Sequence, residues 1–426
     1  MSRDYIWVTV VRFLSKFVNL IFFAYIARIL SFEDLAIYGY IFTSSILFSI
    51  LFDFGFRNTI ARIVGQGGDM RRVSGTQNTF FLSALSLQFL AAYALLNYFI
   101  LPGQAASFDV VILFFIISSC MTYIRSSQGV LIGSGDIAEY NRSELAPRLA
   151  LLCGTLFLVF RPSVGLFDCL LVLSFSQVFG VLYLSYVRYS SGHLFSISLL
   201  PIKDMRRLIY DGGLFMLSVL LMNLSKRANI YALSDVEGGA GVYFALLRAS
   251  EVMTEVALGI SVVILSRIAT SAGSKKDDLE KIARTCRLSM LMLLPFVLFI
   301  LLFRDYVLIA VVGPDFISYV DDFAIITLAS YFGLVTTLVF PSLASRLGAM
   351  HMIISLLPAL IILLLAYLYI SFYSAFNVSN ISIVLLLASI VSSLGILLVI
   401  RIKFSFPILK FLIVSSREVK DIVRKK

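Results

Sequence analysis

Apolar stretches of roughly 18–25 residues alternate along the chain with short connections that carry its charge. Helices of that length cross about 30 Å of hydrocarbon. The pattern predicts spans near 6–28, 37–60, 78–101, 109–133, 147–160, 166–187, 209–233, 241–266, 288–303, 323–343, 351–372 and 381–400, the fifth being the shortest. Leu291-Met292-Leu293-Leu294 and the run from Leu360 to Ala366 are apolar on every side. Such runs lack the alternation of barrel strands. The expected fold class is an all-α integral membrane protein.

Composition agrees. Hydrophobic residues make up 60% of the 426 and charged residues only 14%, about half the charge of a soluble domain. The formal charge of +10 does not point to nucleic acid, because the basic residues lie mainly between spans and in the tail. Cys120, Cys153, Cys169 and Cys286 are scattered in apolar stretches without metal-ligand spacing. Residues 1–30 lack a small-residue cleavage site and read as the first span.

Lysine and arginine set the orientation. Connections 2–3, 4–5, 6–7 and 8–9 and the tail are basic, whereas the alternate connections are poor in basic residues or acidic, as at Glu33-Asp34, Asp235 to Glu237 and Asp315 to Asp322. Both termini are therefore expected in the cytoplasm. Leu30 to Tyr38 and Leu233 to Tyr243 each place acids in a short turn and a tyrosine at the next helix start, offset by about half the chain. The expected organisation is a six-helix lobe over 1–188, a cytoplasmic linker over 189–208, a second six-helix lobe over 209–402 and a basic tail over 403–426.

Several charges fall inside the spans. Arg12 and Lys16 are one turn apart with Asn19 on the same face. Lys16 is roughly 16 Å along the helix from Tyr5, too deep for easy snorkelling, whereas Arg12 is shallower. Arg125 sits in the polar run Tyr123 to Gly129, where polar glue between helices is the competing account. Arg148, near the end of its span, is as readily a snorkelling residue. Lys226 and Arg227 interrupt the seventh span, and Arg248, Glu251 and Glu255 follow along one face of the eighth. Arg248 with Glu251 also fits a structural pair, as does Asp53 with Arg57 at i, i+4. A charge at a helix centre costs about 2.5–3.5 kcal/mol on insertion scales. The cations Arg12, Lys16, Arg125, Lys226, Arg227 and Arg248 outnumber the nearby carboxylates. A water-filled cationic cavity between the lobes, with an anionic passenger, accounts for them. No GxxxxGK[ST] loop occurs, no catalytic constellation stands out, and the longest outer connection, around Arg304 to Asp322, is too short for a catalytic domain.

The chain resembles the polysaccharide-biosynthesis flippases, the O-antigen and capsule repeat-unit exporters of the multidrug/oligosaccharidyl-lipid/polysaccharide superfamily. The residues that carry the resemblance are Leu30 to Tyr38, Phe52-Asp53-Phe54-Gly55, Gly239 to Tyr243, Leu265-Ser266-Arg267-Ile268, the span ending at Pro295 and Val311 to Phe316. Two departures stand out: Lys226-Arg227 where the family often has Asp-Arg, and Ser266 in place of a proline. The resemblance implies twelve helices in two lobes around a central cavity, and a transporter, not an enzyme, with no cofactor beyond a coupling proton or sodium ion. It implies movement of an undecaprenyl-pyrophosphate-linked oligosaccharide from the cytoplasmic to the periplasmic leaflet of a bacterial inner membrane, with membrane lipids, the polysaccharide polymerase and the chain-length regulator as partners. The substrate-binding candidates are Arg12, Lys16, Arg125, Lys226, Arg227 and Arg248, because guanidinium and ammonium groups hold diphosphate. Glu251 and Glu255 are the ion-coupling candidates. A multidrug exporter of the same superfamily and a membrane polymerase or glycosyltransferase are the competing classes.

Overall fold

Polar breaks separate the apolar runs, and several carry their own helix cap. Ser31 Oγ accepts from the Asp34 backbone N–H at 3.1 Å, Asp69 from Arg71 at 2.8 Å, Asp136 from Glu139 at 3.1 Å and Asn377 from Asn380 at 2.7 Å. Each satisfies a backbone donor that the first turn leaves open. The computed structural model describes residues 3–100, 107–190, 199–251, 275–347, 349–373, 376–408 and 411.

All regular structure among the described residues is helical. The first half contains α1 (Arg3–Ile29), α2 (Phe32–Asp53), α3 (Phe56–Gly65), α4 (Met70–Leu95), α5 (Phe108–Ser134), α6 (Ile137–Val159) and α7 (Leu166–Ser190), with a π turn at Leu96–Ile100 prolonging α4. The second contains α8 (Ile202–Arg227), α9 (Asn229–Ala232), α10 (Gly239–Ser250), α11 (Lys275–Leu302), α12 (Arg304–Val311), α13 (Val320–Phe332), α14 (Leu334–Leu347), α15 (Ala349–Tyr373) and α16 (Val378–Phe404), with a 3-10 turn at Pro314–Tyr319 before α13. Among the described residues, nine helices are long and apolar enough to cross a membrane. Within the first half α5 packs against α2, α3, α4 and α7, and α1 against α6; within the second α16 packs against α13 and α15. The result is an all-α, multi-pass membrane protein.

Several expected spans change shape. The span at 37–60 is two helices: α2 stops at Asp53, where Phe54 (φ 49°) and Gly55 (φ 69°) turn left-handed, and α3 starts afresh. The span at 323–343 is interrupted between α13 and α14 at Gly333. The short span at 147–160 extends back to Ile137, because its charged first turns are helical too. The eighth span is seen as α10, and the rest of it lies outside the described residues.

The halves meet along α2, which packs against α8 and α10. At the end with the acidic turns, the backbones of α2 and α10 touch: a Cβ at Gly241 would lie 2.1 Å from the Phe32 carbonyl oxygen. Phe32 stacks edge-on against Phe316 at 5.1 Å, and Arg28 donates to the carbonyls of Ile309 at 3.2 Å and Ala310 at 2.5 Å. At the end with the basic connections, a Cβ at Gly55 would lie 2.2 Å from the Gly212 carbonyl oxygen. There Asp211 of α8 faces Arg62 at 3.4 Å and Arg207 at 3.6 Å. The turns that matched in sequence, Leu30 to Tyr38 and Leu233 to Tyr243, are thus packed on each other, with Tyr38 and Tyr243 both buried.

Candidate functional site

A cavity of about 320 Å³ lies between these two ends, walled by α1, α2, α3, α5, α6 and α7 and closed by α8 and α10. Helical spacing builds each wall. Tyr38, Phe42, Ile46 and Ser49 of α2 face it at steps of three and four, as do Met121, Arg125 and Gln128 of α5. Aromatic rings of α1 and α2 line one part, and guanidinium groups enter from five other elements.

Two clusters divide the charge. The first joins α8 to α10. Glu251 accepts from Arg227 Nη2 at 2.7 Å through Oε1 and from Arg248 Nη1 at 2.6 Å through Oε2. The Arg248 guanidinium also lies over the Phe42 ring, 3.9 Å from its centroid, in a cation–π contact. The second cluster belongs to the first half. Arg57 donates to the Tyr140 hydroxyl at 3.0 Å, that hydroxyl donates to Glu144 Oε1 at 3.4 Å, and Gln128 Nε2 donates to the same oxygen at 3.0 Å. Arg125 and Arg148 line the wall beside it. Among the described residues, Arg125 Nε has no hydrogen-bond partner.

The lining therefore holds Arg57, Arg125, Arg148, Arg227 and Arg248 against Glu144 and Glu251, an excess of three positive charges among the described residues. Such an excess in a partly dry cavity attracts an anion and repels a cation.

The structure brings together Arg125, Arg227, Arg248 and Glu251 from the candidates and leaves others elsewhere. Lys226 does not line the cavity. Its Nζ donates to Thr337 Oγ1 of α14 at 3.0 Å, because neighbours on a helix point about 100° apart and Arg227 takes the cavity face. The expected Asp53–Arg57 ion pair is absent among the described residues. The i, i+4 spacing brings side chains together only on a continuous helix, and the chain turns at Phe54 and Gly55. Asp53 is buried within electrostatic reach of Arg125 and Arg57, while Arg57 points into the cavity. The side chains of Arg12 and Lys16 lie outside the described residues, although both fall in α1, as does the cavity-lining Asn19. Glu255 lies outside them entirely. Sequence reasoning misses Glu144 and Gln128 as site residues, and it reads Arg148 as snorkelling as readily as functional. The spacing of Glu144 and Arg148, one turn apart around Pro147, was the available signal. The four cysteines form no disulfide, and the described residues contain no group of metal-ligating side chains.

The model of the family described as "polysaccharide biosynthesis protein" matches residues 1–243, more than half of the chain and the part that builds most of the cavity. The chain belongs to that family. Solved structures share its fold. A mutant of a Vibrio cholerae MATE transporter is 16% identical, with a TM-score of 0.70, over 95% of this chain and 96% of its own. An outward-facing multidrug resistance MATE family transporter of the MOP superfamily is 14% identical, with a TM-score of 0.66, over 94% and 95%. A MOP superfamily transporter from Pyrococcus furiosus, described as having a binding pocket of reverse polarity that suggests a different function, is 14% identical, with a TM-score of 0.65, over 94% and 96%. No curated protein sequence matches significantly. The chain is thus a member of the polysaccharide-biosynthesis family with the fold of the MATE structures.

Proposed function

We propose that this protein carries a polyprenyl-diphosphate-linked oligosaccharide, an O-antigen or capsule repeat unit, from the cytoplasmic to the periplasmic leaflet of a bacterial inner membrane. The observation that supports this reading most is a cavity lined at once by Arg57, Arg125, Arg148, Arg227 and Arg248. Diphosphate is the part of such a substrate that cannot cross bare hydrocarbon. Guanidinium groups hold it by charge-assisted and often bidentate hydrogen bonds. The polar Asn19, Gln128 and Gln177 offer hydrogen-bonding partners for sugar hydroxyls, and the lipid tail stays in the bilayer. A cationic drug would meet a net excess of positive charge here, which disfavours multidrug export. Translocation by alternating access, coupled to a proton or sodium gradient, belongs to the proposal, and Glu251 is the described carboxylate placed to take part.

Deleting the gene tests it. Surface polysaccharide should disappear while the lipid-linked precursor accumulates, facing the cytoplasm. Loss of polysaccharide without that precursor would indicate a biosynthetic or polymerising step instead.

A further inference from the structure

The two arginines nearest the meeting of the halves are already occupied by a carboxylate. Glu251 spans them, one oxygen on each, at 2.7 and 2.6 Å. All three groups line the cavity, and their side chains keep 11% (Arg227), 22% (Arg248) and 13% (Glu251) of their exposure. A strut serving only to hold α8 to α10 has no need to face the passenger's path. The arrangement of one carboxylate between two guanidinium forks is also the one a phosphate oxygen pair would adopt.

Resting on the anion-transport reading above, we propose that Glu251 is a built-in competitor for the passenger's phosphate. Its carboxylate holds Arg227 and Arg248 when the cavity is empty, yields them as the anion enters, and retakes them to expel it. A transport site must bind firmly enough to load and weakly enough to unload. An internal anion on a short tether lowers net affinity without removing the arginines that provide selectivity. Arg248 stays on the Phe42 ring, so its guanidinium keeps its place while its ionic partner changes.

The full-length protein in nanodiscs, titrated with inorganic pyrophosphate, tests this. Wild type is expected to bind weakly. Glu251→Gln, which keeps the shape and removes the charge, is expected to bind about tenfold tighter or more, and adding Arg248→Gln should cancel the gain. Cells carrying Glu251→Gln should export less polysaccharide despite the tighter binding. If wild type binds and folded Glu251→Gln binds equally or more weakly, the competitor is overturned and the cationic-cavity reading stands. If neither binds, both fall. Should Glu251→Gln be lost from the membrane, Glu251→Asp decides. Its shorter chain cannot span both forks, so a gain in affinity is expected, and an unchanged or weaker affinity overturns the proposal.

Discussion

The Arg248 guanidinium lies 3.9 Å from the centre of the Phe42 ring, so a charge carried by the second half rests on an aromatic face of the first. That contact fixes where the cavity's positive charge sits relative to α2. Phe42→Leu should keep the protein folded but let Arg248 wander. A cation–π contact of this kind is worth about 0.5–2 kcal/mol. Polysaccharide export should therefore fall several-fold with membrane abundance unchanged. Wild-type export from Phe42→Leu would show that Glu251 and the Phe244 ring, 5.6 Å away, suffice to position the arginine.

Arg125 separates a phosphate-holding wall from polar glue. Arg125→Leu removes the charge and keeps much of the volume. Hydrogen bonds to charged groups contribute about 1.5–3 kcal/mol, so export should drop roughly tenfold or more, while the folded protein remains. Arg125→Lys should recover part of it. If Arg125→Leu instead lowers the amount of protein, the residue balances the buried Asp53 and has no direct role in transport.

Lys226 and Arg227 are adjacent in sequence but reach different neighbours, Thr337 and Glu251. Lys226 reaches Thr337, away from the cavity. Lys226→Met should lower the amount of folded protein and leave export per molecule unchanged. Arg227→Met should lower export per molecule. Quantifying surface polysaccharide against membrane abundance distinguishes them, and an equal loss per molecule from both would place Lys226 in the pathway.

The basic connections lead us to expect both termini in the cytoplasm. A reporter active only in the periplasm should be silent when fused after Lys426 and active after Gly103 or Glu237. The reverse pattern would invert the whole assignment of ends.

Gly55 combines a left-handed backbone with no room for a side chain. Gly55→Ala should reduce abundance and thermal stability strongly. Gly67→Ala, also left-handed (φ 86°) but in open space, should cost only the backbone penalty of about 1–2 kcal/mol. Equal melting temperatures for the two variants would show that the close approach to Gly212 relaxes freely.

The fold was legible because bilayer thickness forces one long apolar run per crossing, and the two acidic turns were short enough to align by eye. The breaks were not. Phe52-Asp53-Phe54-Gly55 continues the hydropathy of its span, and only the left-handed turn reveals that Arg57 belongs to another helix. The same break explains why Asp53 and Arg57 read as partners from spacing. Glu144 was hidden for the opposite reason: the charged first half of α6 looked like a connection, so its carboxylate fell outside the expected span. Arg125, Arg227 and Arg248 were found because charge in hydrocarbon is costly enough to need an explanation. Lys226 was included with them because a charge count carries no direction, and direction is what the helix assigns.

At both ends of α2 the two halves touch through glycine, at Gly241 against Phe32 and at Gly55 against Gly212. Side chains bridge both ends as well, Phe32 on Phe316 and Asp211 against Arg62, but the closest approach is main chain against main chain. A methyl group at either glycine would act as a wedge, prising open that rim of the seam between the halves.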